Sequence, residues 1–333
     1  MGRMFYGANV FRQKSYLIPG IFLLIIGCLL FLLTWVIVAR VRLASCHRQY
    51  ALLNPLRRCS DTSETKREYE AFRDELLTWT EQQKATGAIT HASIYFRDLE
   101  GGPWFGIAEE EQFSAASLLK VPIMMAVLRQ AEFHPELLQQ ELGYTGTLEG
   151  QPNIFDPSKT VLPGQYFTVE ELLRRMIVYS DNSSKELLKA RLLSLNEQND
   201  LLAQTYHDLG IFSLPNSSID NFITVKTYSS IFRLLFNASY LSKDMSQKAL
   251  ELLSAAEFRD GLVGSLPSSV TVAHKFGVRE LPDQEQLHDC GIVFHPKTPY
   301  LICVMTRGKD LDMLAGVIRE ISRKVFQEVN MRS

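Results

Sequence analysis

Phe113-Ser114-Ala115-Ala116-Ser117-Leu118-Leu119-Lys120-Val121-Pro122 sets a serine at a helix start and a lysine one turn later on the same face. Pro122 fits only the first turn, so the spacing predicts a helix opening near Ser117 and running through Leu128. That helix is apolar nearly all round, as a buried one is. A lysine in such a helix is costly to bury charged, so its pKa falls and it can take the serine proton. A Ser-x-x-Lys match alone is expected about once by chance in a chain of this size, so its surroundings decide its meaning.

Outward from this stretch, strands lie at both ends of a long region and helices fill its middle. Ala92–Phe96 and Trp104–Ile107 read as strands around the turn-rich Asp98-Leu99-Glu100-Gly101-Gly102. Before them, Tyr69, Phe72, Leu76 and Trp79 fall at helical spacing, with Ser63 as a cap and Gly87 as the stop. Thr168-Val169-Glu170-Glu171 has capping-box form ahead of Leu172, Leu173, Met176 and Ile177. More helix is expected to about Leu195, over Val225–Phe236 and around Ser246–Ala255. Strands follow at Val270–Lys275, Asp289–Phe294 and Tyr300–Thr306, then a helix over Leu311–Val329. The expected class is α+β: an antiparallel sheet from both chain ends, flanked by helices, with a helical subdomain. A functional cleft is expected between sheet and helical part.

Two more short motifs join the first. Ser180-Asp181-Asn182 closes a predicted helix. A serine hydroxyl relays protons, and an asparagine amide both donates and accepts. His274-Lys275-Phe276-Gly277 ends a predicted strand, where a lysine attracts anionic groups and a glycine permits close backbone approach.

In order and context these three motifs resemble those of the serine penicillin-recognising hydrolases, the group of class A β-lactamases and penicillin-binding proteins. Gly261-Leu262-Val263-Gly264-Ser265-Leu266-Pro267 before the third motif is similar too, as is the terminal Met305-Thr306-Arg307-Gly308 ahead of its helix. The resemblance covers about residues 64–330 and implies a β-lactamase/transpeptidase-like fold. It also implies that Ser117 is acylated, Lys120 is its base or relay, Ser180 shuttles a proton to the leaving nitrogen, and Lys275 anchors charge. Asn182 would hold a substrate amide, Gly277 would border the substrate, and the backbone N–H groups of Ser117 and Val278 would form the oxyanion hole.

Two departures stand out. Phe276 replaces the family's Thr or Ser, whose hydroxyl helps hold a substrate carboxylate. The class A Glu-x-x-Leu-Asn loop, whose glutamate activates the deacylating water, has no counterpart between Asp208 and Asn221. Asp220 is the only late acid there, and a turn or capping role suits it as well as a base. The expected activity is therefore a serine hydrolase working through an acyl-enzyme on Ser117, on peptidoglycan-type peptides or other amides, with β-lactams as further ligands. A true β-lactamase and a non-turnover membrane sensor of cell-wall fragments are the alternatives.

The chain has 333 residues, 35 Lys+Arg against 37 Asp+Glu, and a net charge of −2, which removes the electrostatic case for a nucleic-acid partner. Nothing in its Cys/His spacing suggests a metal site, and no cofactor is expected. Residues 17–39 carry no charge and match the thickness of a bilayer core, so a signal anchor is expected. This divides the chain into residues 1–16 in the cytoplasm, an anchor at 17–39, a connector at 40–62 and a hydrolase domain at 63–333 outside the cell membrane. Flanking charge is ambiguous: Arg3, Arg12 and Lys14 precede the span, and Arg40, Arg42 and Arg48 follow it. The outward orientation is therefore what the resemblance implies. Cys46 and Cys59 bracket the connector. Cys290 and Cys303 face each other across a predicted hairpin, either as packed thiols or as a bonded pair.

Overall fold

The computed structural model describes residues 25–35, 69–100, 102–146, 156–196, 198–211 and 221–332. Contacts divide the chain into two units, Met1–Ala51 and Leu52–Ser333. In the first, residues 25–35 are helical and carry exposed apolar side chains such as Leu29, Phe31 and Trp35. Among the described residues no helix is long and apolar enough to cross a membrane. The ends of the expected 17–39 span, Ser63 and the Cys46–Cys59 connector lie outside them.

The second unit is built on a five-stranded antiparallel sheet. Its strands are β1 (His91–Asp98), β2 (Trp104–Ile107), β7 (Thr271–Leu281), β8 (Gln284–Phe294) and β9 (Tyr300–Gly308), in the order β2-β1-β9-β8-β7. Chain ends meet where β1 pairs with β9, with Ile94 opposite Val304. This is the α+β arrangement that the strand–helix–strand pattern predicts. Two further pairs are short: β3 (Phe113–Ser114) with β6 (Asn221–Ile223), and β4 (Glu141–Gly143) with β5 (Tyr166–Thr168). Strands of two or three residues are too brief to show a period of two, and the sequence reading passes over them.

Helices α1 (Glu70–Ala85) and α8 (Leu311–Arg332) share one apolar core with the sheet. Leu76 of α1 and Leu314, Ile318 and Ile321 of α8 are fully buried there with Phe96, Ile302 and Val304. The opposite side is occupied by α2 (Lys120–Ala131), α3 (Val169–Val178), α4 (Asn182–Leu195), α5 (Leu201–Asp208), α6 (Val225–Phe236) and α7 (Lys243–Ser254). Helix α2 touches α3, α4, α5 and α7, which is why every residue from Lys120 to Leu128 is buried. Thr168 caps α3, its side chain accepting from Glu171 N at 3.2 Å, while the Glu171 carboxylate pairs with Arg175 at 3.0 Å.

Some boundaries differ from the sequence reading. β7 does not stop at Lys275 but runs to Leu281, because Phe276 and Val278 join the core with Val272. Ser117 lies in a 3₁₀ turn over Ala116–Leu119, and the α-helix begins at Lys120. Cys290 and Cys303 are cross-strand neighbours joined by a disulfide, so the packed-thiol alternative does not hold. Phe96 is fully buried, with ring neighbours Tyr69 at 4.8 Å, Phe105 at 5.1 Å and Tyr300 at 5.6 Å. Phe96→Ala is expected to lower unfolding free energy by about 3 to 5 kcal/mol, read as a shift of the denaturant midpoint.

Candidate active site

The Ser117 turn is held from several directions. Ser114 N donates to Gln286 Oε1 at 3.0 Å, and Ser114 O lies 3.0 Å from His288 Nε2, so β8 grips the chain just before the turn. Burial drives the His288 pKa down to about 3, so its ring is neutral and donates through Nε2 to that carbonyl. From α6, the buried Tyr228 hydroxyl donates to Leu118 O at 2.9 Å. Ala116 adopts φ +44°, a left-handed conformation that costs an alanine energy and persists only when its surroundings over-determine it.

β7 is an edge strand, and its free side faces this turn. Gly277 makes the approach possible. A Cβ there would lie 3.1 Å from Leu118 Cγ and 3.3 Å from both Ala115 O and Leu118 N. Ser180, at φ +59°, brings in the third segment. Behind it, Asp181 caps α4, accepting from Ser184 N at 2.6 Å and Val161 N at 3.4 Å. Asn182 is the first residue of α4, two positions from Ser180.

Around these backbones four side chains converge. Lys120 Nζ is 3.0 Å from Ser117 Oγ and 2.9 Å from Ser180 Oγ, and it also donates to Ser180 O. Lys275 Nζ reaches the same Ser180 Oγ at 3.0 Å and donates to Phe276 O at 3.1 Å. Burial holds the Lys120 ammonium well below the usual lysine range; the charges of Lys275 and Lys185 push further down, and Asp181 and Glu186 push back. Burial brings Lys275 to about 7, against the opposing pull of Asp289. Two ammonium groups cannot share one hydroxyl cheaply, so burial and the neighbouring Lys275 charge both favour the neutral form of Lys120. A neutral amine 3.0 Å from a serine hydroxyl has a lone pair to accept its proton.

Thus Ser117, Lys120, Ser180 and Lys275 form one connected network, with Gly277 against the turn and Asn182 beside it. Val278 follows Gly277 on β7. Asp220 lies outside the described residues. Phe276 is nearly fully buried, stacked on Phe258 with ring centroids 4.2 Å apart.

A profile of the beta-lactamase enzyme family matches residues 74–329. The chain belongs to the beta-lactamase enzyme family. Solved structures with this fold include a beta-lactamase from Chitinophaga pinensis, at 22% identity and TM-score 0.65, covering 77% of this chain and 99% of that one. PBP-A is similar at 21% identity and TM-score 0.63, over 77% and 96% of the two chains. A mutant of PBP-A, captured as an acyl-enzyme complex with penicillin G, matches at 20% identity and TM-score 0.62, over 78% and 97%. No curated protein matches.

Two features of the site escape the sequence reading. Glu186, one turn after Asn182 on α4, acts on Lys120 electrostatically while pairing with Lys185 at 2.8 Å and Lys189 at 3.0 Å. Its spacing from Asn182 was the available signal. The second is a buried pair on the sheet face away from Lys275, with His274 Nδ1 2.8 Å from Asp289 Oδ1. Asp289 Oδ2 accepts from Leu262 N at 2.9 Å, tying the 258–262 segment to the sheet. Nothing short of the β7–β8 register brings these residues together.

Removing the Lys275 charge is expected to raise the Lys120 pKa, since after burial that charge is the largest of those that depress it. For Lys275→Met, the rising limb of Ser117 labelling by a fluorophosphonate should therefore move to higher pH. The rate against pH, followed by intact mass, measures it.

Proposed function

We propose that this chain is a serine acyl hydrolase of the beta-lactamase family that works through an ester on Ser117. The Lys120 contact to both Ser117 Oγ and Ser180 Oγ carries this reading. Ser117 Oγ attacks the carbonyl carbon of an amide- or lactam-type donor, and its proton passes to Lys120 Nζ. The carbon–nitrogen bond breaks as Ser180 Oγ gives its proton to the departing nitrogen. Ser180 is reprotonated from Lys120, with Lys275 on the same oxygen holding the charge balance. Backbone N–H groups of Ser117 and Val278 would receive the developing oxyanion, where one such donor is worth about 100- to 1,000-fold in rate. Asn182 would hold the donor's amide.

Water must then cleave the ester. The stretch from Asp208 to Asn221 holds no Glu-x-x-Leu-Asn motif, which favours slow deacylation. Asp181 is spent as a helix cap, and Glu186 is engaged by two lysines. We further infer that residues 17–39 anchor the enzyme, with 63–333 outside the membrane. The charge-free sequence and the exposed apolar helix at 25–35 support this.

With p-nitrophenyl phenylacetate, the full-length chain in detergent should release a burst of about one nitrophenol per chain and gain one phenylacetyl group. The adduct should outlast the burst, and Ser117→Ala should abolish both signals. Lys120→Ala should slow the burst by about 100- to 10,000-fold. A burst that survives Ser117→Ala would sink the reading, and an adduct too brief to detect would favour an efficient β-lactamase.

A further inference from the structure

The ammonium of a lysine has three N–H donors. In Lys275 the first goes to Ser180 Oγ at 3.0 Å and the second to Phe276 O at 3.1 Å. The third direction is covered by the Phe276 ring, whose centroid is 4.0 Å from Nζ. The side chain is fully buried. No donor of Lys275 remains for an incoming anion. The position after it supplies none either, because phenylalanine has no side-chain donor.

The Phe276 ring that covers this amine also lines a cavity of about 280 Å³. Val178 and Tyr179, just ahead of Ser180, form one wall, and Phe258 and Phe276 form another. Asp156, Glu257 and Asp260 also line it, against Arg259 as the one base among its lining residues. The aromatic wall is built into the fold. Phe258 stacks on Phe276, and the segment that carries it is pinned by Leu262 N on the buried Asp289. Gly261 is required for that anchorage, since a Cβ there would fall 2.3 Å from Asp289 Oδ2.

We propose that this cavity receives the departing half of the acyl donor, and that this half carries no carboxylate and lays an apolar or aromatic face on the Phe258–Phe276 wall. The proposal rests on acylation of Ser117. A carboxylate placed there would meet three acids against the single guanidinium of Arg259, and on the Phe258–Phe276 wall it would find an apolar surface in place of a hydroxyl donor, which is costly. The substrate class is then an internal amide or an ester, not a peptide cut beside its free C-terminus. In the step itself Ser117 Oγ forms the new ester, the bond to the departing heteroatom breaks, and that atom takes its proton from Ser180.

Two esters with one acyl group isolate this choice: 3-carboxyphenyl phenylacetate and its methyl ester. Both leave the same phenylacetyl group on Ser117, so only recognition of the departing half differs. The full-length chain in detergent should be acylated about tenfold or more faster by the methyl ester. Phe276→Thr restores a hydroxyl donor and should move the ratio toward the free acid by about 10- to 100-fold, the usual worth of a hydrogen bond to a charged group. Phe276→Leu removes the ring without adding a donor and should keep the wild-type preference. A wild-type preference for the free acid, or a ratio unmoved by Phe276→Thr, overturns the proposal. If neither ester acylates the chain while a fluorophosphonate still labels Ser117, the nucleophile stands and the substrate proposal fails. If the fluorophosphonate fails as well, both fall.

Discussion

The buried Lys120 amine is the constraint on which the site depends. A charged ammonium is costly in an apolar interior, and α2 offers it little but apolar neighbours. Its polar partners are Ser117 Oγ and the backbone and side chain of Ser180. To keep that lysine satisfied, the fold must bring the 3₁₀ turn and the α3–α4 junction together. The left-handed backbone at Ala116 and Ser180 is the local strain of holding those two segments in place, about 1 to 3 kcal/mol each. The strain is tolerated because sheet and helices grip both sides. Gln286, His288 and Tyr228 hold the first segment, and Asp181 holds the second.

Lys275 completes the arrangement from the sheet. It sits opposite Cys290 in the β7–β8 register, on the face toward the helices, while His274, Phe276 and Asp289 occupy the other face. One strand thus delivers an amine to Ser180 and, one residue later, an aromatic ring to the core. The same ring closes over the amine. Lys275 is thus fully buried, with its amine on Ser180 Oγ and Phe276 O.

The sequence-based expectations hold best where a single period or cap decides the outcome. The Thr168 cap, the helix over Val225–Phe236 and the spacing of Ser117 and Lys120 all follow from local patterns. The reading is weakest where pairing is short or long-range. The β3–β6 and β4–β5 pairs are too brief for periodicity, and β7 extends beyond Lys275 because its later residues are claimed by the core.

By itself, the sequence determined the local placement of the candidate side chains: an apolar helix with one lysine a turn after one serine, a Ser-Asp-Asn helix junction, and a lysine followed by phenylalanine on a strand. These are consequences of residue type and spacing, which local geometry translates directly. Only the tertiary structure decided that Lys120 and Lys275 meet on one oxygen, that Phe276 caps the second amine, and that Asp289 reaches His274 and Leu262. Those contacts join residues up to 95 positions apart. Their energies depend on burial and on neighbouring charge, and both exist only once the sheet and the helices have closed around them.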